Sequence, residues 1–178
     1  MKLGGPQLIS ELREKLQFDI GRHLYGVLGS YDQLRRFEHE DLTQARDHQE
    51  RPLPLPINVN RELLRRIGDD DLRQLVDAEA RRPHAVTYRL NQGFDALLAD
   101  LLQQTDLVVL KQLELLFAYN LELSILRTRA SNQSHILLLL PAERRGEHII
   151  MFYQAPPKFQ RSIPPNLIAD NHLWELTE

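Results

Sequence analysis

Cysteine is absent from this chain of 178 residues. Disulfide bonds and metal sites built on thiolates are therefore excluded. Long apolar runs are also missing, since the stretch ILLLL at 136–140 is far too short to cross a bilayer. The first residues, MKLGGPQLISELREKL, lack the apolar segment of a signal peptide. We therefore expect a cytoplasmic protein without membrane contact.

A large excess of charge of one sign is missing as well. The formal net charge is −3, from 22 basic and 25 acidic side chains. This balance disfavours a protein that binds nucleic acid mainly by overall electrostatic attraction, unless its basic residues concentrate in a local patch. Hydrophobic residues make up 42% of the chain and charged residues 26%, which is typical of one globular domain.

Apolar patterning predicts alternating strands and helices. The predicted strands are 23–29, a short segment at 57–59, 107–111, 135–141 and 147–154, the last pairing with the one before it. The predicted helices are 6–17, 30–48, 61–67, 69–82, 84–104 and 120–130, with Ser30, Asn60 and Asn120 as N-caps. This alternation indicates one three-layer α/β domain, with a largely parallel sheet flanked by helices.

Both ends of the chain are assigned to that domain. Residues 1–20 contain the N-terminal helix, whose apolar stripe follows Pro6. Residues 155–178 form a proline-rich arm for which no regular structure is predicted. Its apolar side chains, which include Trp174, are expected to pack on the body of the domain.

The first predicted strand leads into a segment that can be compared with a phosphate loop. In a P-loop the motif G-x-x-x-x-G-K-[ST] surrounds the phosphates with backbone N–H groups, and its lysine and hydroxyl reach the outer phosphates and Mg²⁺. Here the segment reads GVLGSYDQL. Gly26, Gly29 and Ser30 are present, but no lysine follows, and Asp32 brings negative charge to the place of the phosphates.

The second half of a P-loop site would be an acid at the end of a buried strand. The strand LVVLK ends instead in Lys111, a cation that repels Mg²⁺, and Glu114 is the acid that remains nearby. Both halves lack the charge that their role requires. The pattern fits a degenerate P-loop NTPase-like core, and the alternative is two ordinary strand ends in an unrelated α/β fold. In the first case Gly26, Gly29, Ser30 and Glu114 are the remnant of the nucleotide site.

Three longer segments resemble BrxF-like small P-loop proteins of BREX bacteriophage-resistance systems. They are LPINVNRELLRRI, DLVVLKQLELLFAYNLELSILRTRASNQSHILLLLP and HIIMFYQAPPKFQRSI. The family's order of motifs is kept across residues 23–163. The phosphate-loop lysine and hydroxyl have no counterpart, Lys111 replaces the family's Asp, and Glu114 matches its Glu. The turn at 130–132 matches the family's SRN without the arginine.

The resemblance implies a non-catalytic accessory or assembly subunit of a bacterial anti-phage defence system. Such a subunit would work beside a larger ATPase or methyltransferase, and a homo-oligomer is a further expectation. We expect no catalytic residue, no metal and no cofactor. One alternative is an atypical ATPase subunit that holds ATP through the loop at Gly26 and Gly29. Another is a nucleic-acid-binding module that uses arginine-bearing helix faces.

Basic side chains recur on the predicted helices and on the C-terminal arm. The candidates for contact with a partner or with nucleic acid are Arg61, Arg65, Arg66, Lys111, Arg127, Arg129, Arg145, Lys158, Phe159 and Arg161. Because ligands of an open parallel sheet lie at the carboxyl ends of its strands, Arg127, Arg129 and Arg145 are expected to join Lys111 there. On the helices, the alternative is a solvated surface balanced by acids.

The arm carries an aromatic residue among cations, with Phe159 between Lys158 and Arg161. This arrangement suits base stacking combined with phosphate contact. The surrounding prolines equally suit a stiff arm that binds a partner protein. The seven histidines show no zinc-binding spacing and no G-x-S-x-G motif is present, so neither a metal site nor a hydrolase is predicted.

Overall fold

A computed structural model gives the architecture and describes residues 1–68, 73–74, 76–77, 79 and 81–177. The strands in these ranges are β1 (Lys2–Leu3), β2 (Leu24–Gly29), β3 (Ile57–Asn58), β4 (Leu107–Lys111), β5 (His135–Arg145), β6 (His148–Met151), β7 (Arg161–Ser162) and β8 (Leu173–Leu176). The α-helices are α1 (Gly5–Lys15), α2 (Tyr31–Arg36), α3 (Val59–Ile67), α4 (Pro83–Gln104), α5 (Glu114–Ala118) and α6 (Ser124–Arg129). A π-helical turn, Phe37–Leu42, continues α2.

The main sheet has the strand order β1-β8-β2-β5-β4-β3, and every neighbouring pair in it is parallel. β5 runs beyond the sheet and pairs antiparallel with β6, which in turn pairs with β7. Parallel neighbours need crossover connections, and these place helices against the sheet. The predicted α/β class, with a mostly parallel sheet flanked by helices, is confirmed.

The core consists of two apolar clusters, one on each face of the sheet. In β5, Ile136, Leu138 and Leu140 belong to one cluster, which also contains the apolar stripes of α3 and α4. The alternate residues Leu137 and Leu139 belong to the other cluster, which contains side chains of α1 and α2. Side chains alternate between the two faces of a strand, so a strand covered on both faces must be apolar throughout. The unbroken run of β5 is explained in this way.

Two of the three predicted helix caps are wrong. α3 begins two residues earlier than expected, because the Asn58 side chain accepts a hydrogen bond from the Arg61 N–H at 2.9 Å. Asn60 is thereby released for contacts with another segment. Asn120 lies in the left-handed region at φ 49°, and α6 begins only at Ser124.

The helix lengths also differ from the prediction. The helix expected at 30–48 ends at Leu42, where the π-helical turn stops. The helix expected at 84–104 is found, and it runs through Gly93 without a break. The helix expected at 69–82 falls in large part outside the described residues. No helix in the described ranges is long and apolar enough to cross a membrane.

The C-terminal arm was predicted to be irregular, and this is wrong for its last residues. β8 lies inside the sheet between β1 and β2, with Trp174 opposite Val27 and completely buried. β1 pairs with the outer side of β8. The two outermost strands on this side of the sheet, β1 and β8, therefore come from the two ends of the chain. A four-residue strand whose partners lie far away in sequence carries little local signal.

Candidate functional site

The carboxyl ends of β2, β3 and β4 lie at the same edge of the parallel sheet. In the strand order, the connection from β2 leads towards β3, the outermost strand on one side. The connection from β5 leads in the opposite direction, past β2 towards β8. The direction of the connections therefore reverses between β2 and β5. In open α/β sheets, ligands bind at the carboxyl ends of the strands where such a reversal occurs. This edge is therefore the candidate site.

The connection from β2 to α2 is a single residue. β2 ends at Gly29, Ser30 is the N-cap, and α2 begins at Tyr31. Ser30 Oγ accepts a hydrogen bond from Gln33 N at 3.1 Å, and Gln33 Oε1 accepts one from Ser30 N at 2.8 Å. This capping box satisfies N–H groups that a phosphate loop would offer to a ligand.

Gly26 does not belong to this connection, because it lies within β2 and is buried. A Cβ atom at this position would lie 2.8 Å from Leu173 Cδ1 and 2.9 Å from Ile168 Cδ1. The glycine therefore allows the C-terminal segment to pack closely against the sheet. The sequence had grouped Gly26 with Gly29 and Ser30 in one loop, but Gly26 lies inside the strand and only Gly29 and Ser30 lie at the connection to α2.

The strand-end cation is paired with an acid. Lys111 Nζ lies 2.5 Å from Glu38 Oε1, on the π-helical turn after α2. The two side chains are 29% and 16% exposed, so the pair is largely shielded from water. A P-loop site would carry its cation on the element after the first strand and its acid at the end of the other strand. Here the two charges are exchanged.

Glu114 is held by hydrogen bonds from two other segments. Tyr31 OH donates to Glu114 Oε1 at 3.0 Å, and Asn60 Nδ2 donates to Glu114 Oε2 at 2.7 Å. Asn60 Oδ1 accepts from Leu115 N at 3.0 Å. Burial and the neighbouring Glu114 carboxylate raise the pKa of Tyr31, which keeps its hydroxyl a donor.

Gln112 completes the connection between the β3 and β4 ends. Its backbone lies in the left-handed region at φ 54°. In this conformation its carbonyl oxygen accepts from Asn60 N at 3.2 Å, and its side-chain oxygen accepts from Asn58 Nδ2. The segments after β2, β3 and β4 are therefore fastened together. We refer to the residues that do so, Glu38, Lys111, Tyr31, Asn60, Gln112 and Glu114, as the carboxyl-edge network.

Most of the candidate arginines have acidic neighbours on their own surface. The pairs are Arg61 and Arg65 with Glu62, Arg66 with Asp100, Arg129 with Asp95, and Arg145 with Glu143. Exposed pairs of this kind contribute little to stability. They do, however, reduce the positive charge of the surfaces that the sequence suggested as basic.

The remaining candidates lie elsewhere. Arg127 and Arg129 are on α6, which precedes the amino end of β5, whereas Lys111 lies at the carboxyl edge. The expectation that these arginines join Lys111 is therefore wrong. In the described part of the chain, neither Arg127 nor Arg161 has an acidic partner. Lys158 Nζ lies 4.8 Å from the centre of the Phe159 ring.

A second polar cluster is buried at the opposite, amino edge of the sheet. The Tyr25 hydroxyl lies 3.1 Å from His23 Nδ1 and 3.3 Å from His135 Nδ1. The two imidazoles stack with centroids 4.3 Å apart. Burial and, to a smaller extent, the nearby His23 lower the pKa of His135 to about 4, and burial lowers the pKa of His23 as well. Both rings are therefore neutral at physiological pH, and this cluster was not anticipated from the scattered histidines.

The sequence identified Lys111 and Glu114 but missed the residues that hold them. Tyr31 and Asn60 stand in the segments YDQL and NVN, and each supplies a polar side chain two residues after the end of a strand. A polar residue just after a strand could have been predicted as a site residue, since such residues lie at the carboxyl ends of the strands. Within the described ranges, no group of three or more His, Asp or Glu residues is arranged to hold a metal ion. Comparisons with protein-family models, curated proteins and solved structures find no match to this chain.

Proposed function

We propose that this protein is a BrxF-like, non-catalytic accessory or assembly subunit of a bacterial anti-phage defence system of the BREX type, with a degenerate P-loop core. The observation that carries the proposal is the carboxyl-edge network. At the edge where a nucleotide would bind, Lys111 is paired with Glu38, and both Glu114 oxygens accept hydrogen bonds from protein donors.

The sheet topology supports the P-loop part of the proposal. A P-loop site requires that the strand before the phosphate loop and the strand bearing the acid end at one edge of a parallel sheet. β2 and β4 meet this requirement, with β5 between them. In the family that this chain resembles, the motifs occur in the same order as in this chain, from the first strand to the segment after β6.

The chemistry of the edge supports a role without catalysis. Magnesium requires oxygen ligands, and an ammonium group at the end of β4 opposes its binding. No lysine follows β2, and Asp32 of α2 pairs with Arg35. The Ser30 capping box occupies the turn in which phosphates would be held. A fastened network of this kind favours a rigid scaffold that presents surfaces to a larger ATPase or methyltransferase.

Co-expression from the native operon tests the proposal. We expect a tagged copy of this chain to co-purify in stable proportion with proteins encoded by neighbouring genes. Recovery of the chain alone, as a monodisperse monomer, would contradict the accessory role.

Thermal unfolding with Mg²⁺ and nucleotide tests the alternative of an ATPase subunit. A ligand that binds only the folded state stabilises it by about 2.7 kcal/mol at a concentration 100 times its Kd. This stabilisation raises the melting temperature. We expect no shift with millimolar Mg-ATP. A clear upward shift would replace the proposal by nucleotide binding through atypical contacts.

A further inference from the structure

Three grooves meet at Arg127, beside the C-terminal segment that leads into β8. One of 590 Å³ extends from Arg22 along this segment, and one of 340 Å³ lies between α6 and Arg161 of β7. A third, of 360 Å³, contains Arg22, Ser124 and Ser131. Arg127 lines all three. We call this joined surface the Arg127 groove, with Arg22, Arg127 and Arg161 as its cations.

The charge of this groove is not balanced as the helix faces are. In the described part of the chain, no acid forms an ion pair with Arg22, Arg127 or Arg161. Arg144 also lines the groove, but Glu175 and Asp170 neutralise it at 3.2 and 3.3 Å. Besides Asp170, Glu147 also lines the groove. Three guanidinium groups along a concave surface attract a ligand with several negative charges.

The arm adds an exposed aromatic side chain two residues before Arg161, which lines the groove. Phe159 is 54% exposed although it is a large apolar residue. Arg161 Nη1 donates to the carbonyl oxygens of Lys158 and Gln160 at 2.9 and 2.8 Å, so its guanidinium is held next to this aromatic residue. Exposed aromatics beside ordered cations are the usual combination in sites for single-stranded nucleic acid.

We propose that the Arg127 groove binds the phosphate backbone of a single-stranded nucleic acid, with a base stacked on Phe159. An acidic protein segment would use the guanidinium groups but would gain less from the exposed ring, which is why the nucleic acid is favoured. The net charge of −3 confines such binding to this local surface. The inference does not depend on the accessory role, because no residue of the carboxyl-edge network lines the groove.

Fluorescence polarisation with a labelled oligo-dT of about 20 nucleotides tests the inference, at salt concentrations from about 50 mM upward. Three cations on a single strand predict a log–log salt slope of about −2. Arg127→Gln and Arg161→Gln should each weaken binding and flatten the slope by about 0.7. Phe159→Ala should weaken binding at least about fivefold, the lower limit for a stacked base.

Arg61→Gln and Arg65→Gln are the matched controls, because each removes the same charge from a side chain that forms an ion pair with Glu62. We expect these controls to leave affinity and slope unchanged. Absence of binding at about 50 mM salt, or equal loss in controls and groove variants, would overturn the inference. So would stronger competition by polyglutamate than by unlabelled oligo-dT, which would assign the groove to an acidic protein. Arg22→Gln gives an independent groove variant if Arg127→Gln lowers the melting temperature.

Discussion

Lys111, the last residue of β4, forms an ion pair with Glu38, which lies 73 positions earlier in the chain. The pair joins the end of a central strand to the helical segment that follows β2. Because both side chains are largely shielded from water, each depends on the other for compensation of its charge. The cation at the end of β4 is therefore part of the structure of the fold.

The Lys111–Glu38 pair should show strong coupling in a double-mutant cycle. Lys111→Met leaves Glu38 without its partner, and we expect a loss of about 1–3 kcal/mol in the free energy of unfolding. Adding Glu38→Gln should restore part of the loss, because neither charge then remains unpaired. Urea unfolding of the four proteins measures the coupling. Additive losses would show that the pair has no such role.

The Tyr31 hydroxyl should contribute to stability through Glu114. Tyr31→Phe removes the donor to Glu114 Oε1, and we expect a loss of about 1 kcal/mol. Tyr88→Phe is the control, because the Tyr88 hydroxyl contacts Gln92 on its own helix and the residue is 64% exposed. Its loss should stay below about 0.5 kcal/mol. Equal losses in the two variants, measured by urea unfolding, would contradict the network.

Gly26 should tolerate no side chain. Gly26→Ala would place a methyl group within 3.0 Å of two leucine or isoleucine methyl groups, since the nearest distances are 2.8 and 2.9 Å. We expect a loss of about 1–3 kcal/mol from overpacking. At Gly29 the nearest atom would be 3.3 Å away, so Gly29→Ala should cost less. Thermal unfolding compares them, and a smaller loss at Gly26 than at Gly29 would refute this reading of the packing.

Stability should fall when the pH is lowered from about 6.5 towards 4. Burial lowers the pKa of His135 to about 4, whereas an unfolded imidazole titrates near 6.5. Between these values the unfolded chain binds more protons, so protonation favours unfolding. For His135 alone the loss is on the order of 3 kcal/mol, complete below about pH 4. His23 adds to it, because burial lowers its pKa as well.

Urea unfolding at several pH values measures this dependence. The charged and titratable groups around the two imidazoles are Asp19, Asp106 and His172, besides the hydrogen-bonded Tyr25. His135→Phe keeps an aromatic ring and removes the titrating group, so the pH dependence should become flatter. An unchanged dependence in this variant would assign the acid sensitivity to other residues.

Local sequence patterns predicted the strands of the sheet centre because burial on both faces leaves an apolar signature. β2, β4 and β5 were all identified, and β5 most clearly. The lysine at the end of β4 and the missing lysine after β2 were also readable from the sequence. β8 was missed because its short strand is defined by pairing with β1 and β2, which no local pattern records.

The sequence by itself determined the α/β class, the apolar centre of the sheet, the lysine at the last position of β4 and the absence of a lysine directly after β2. It could not determine which cations are neutralised. Tyr31 reaches Glu114 across 83 positions, and Arg129 reaches Asp95 across 34. Charge compensation and hydrogen bonding depend on distances of a few ångströms in space, and those distances are set by how the connections cross the sheet. Only the tertiary structure could therefore close the carboxyl-edge network and leave Arg22, Arg127 and Arg161 without an acidic partner among the described residues.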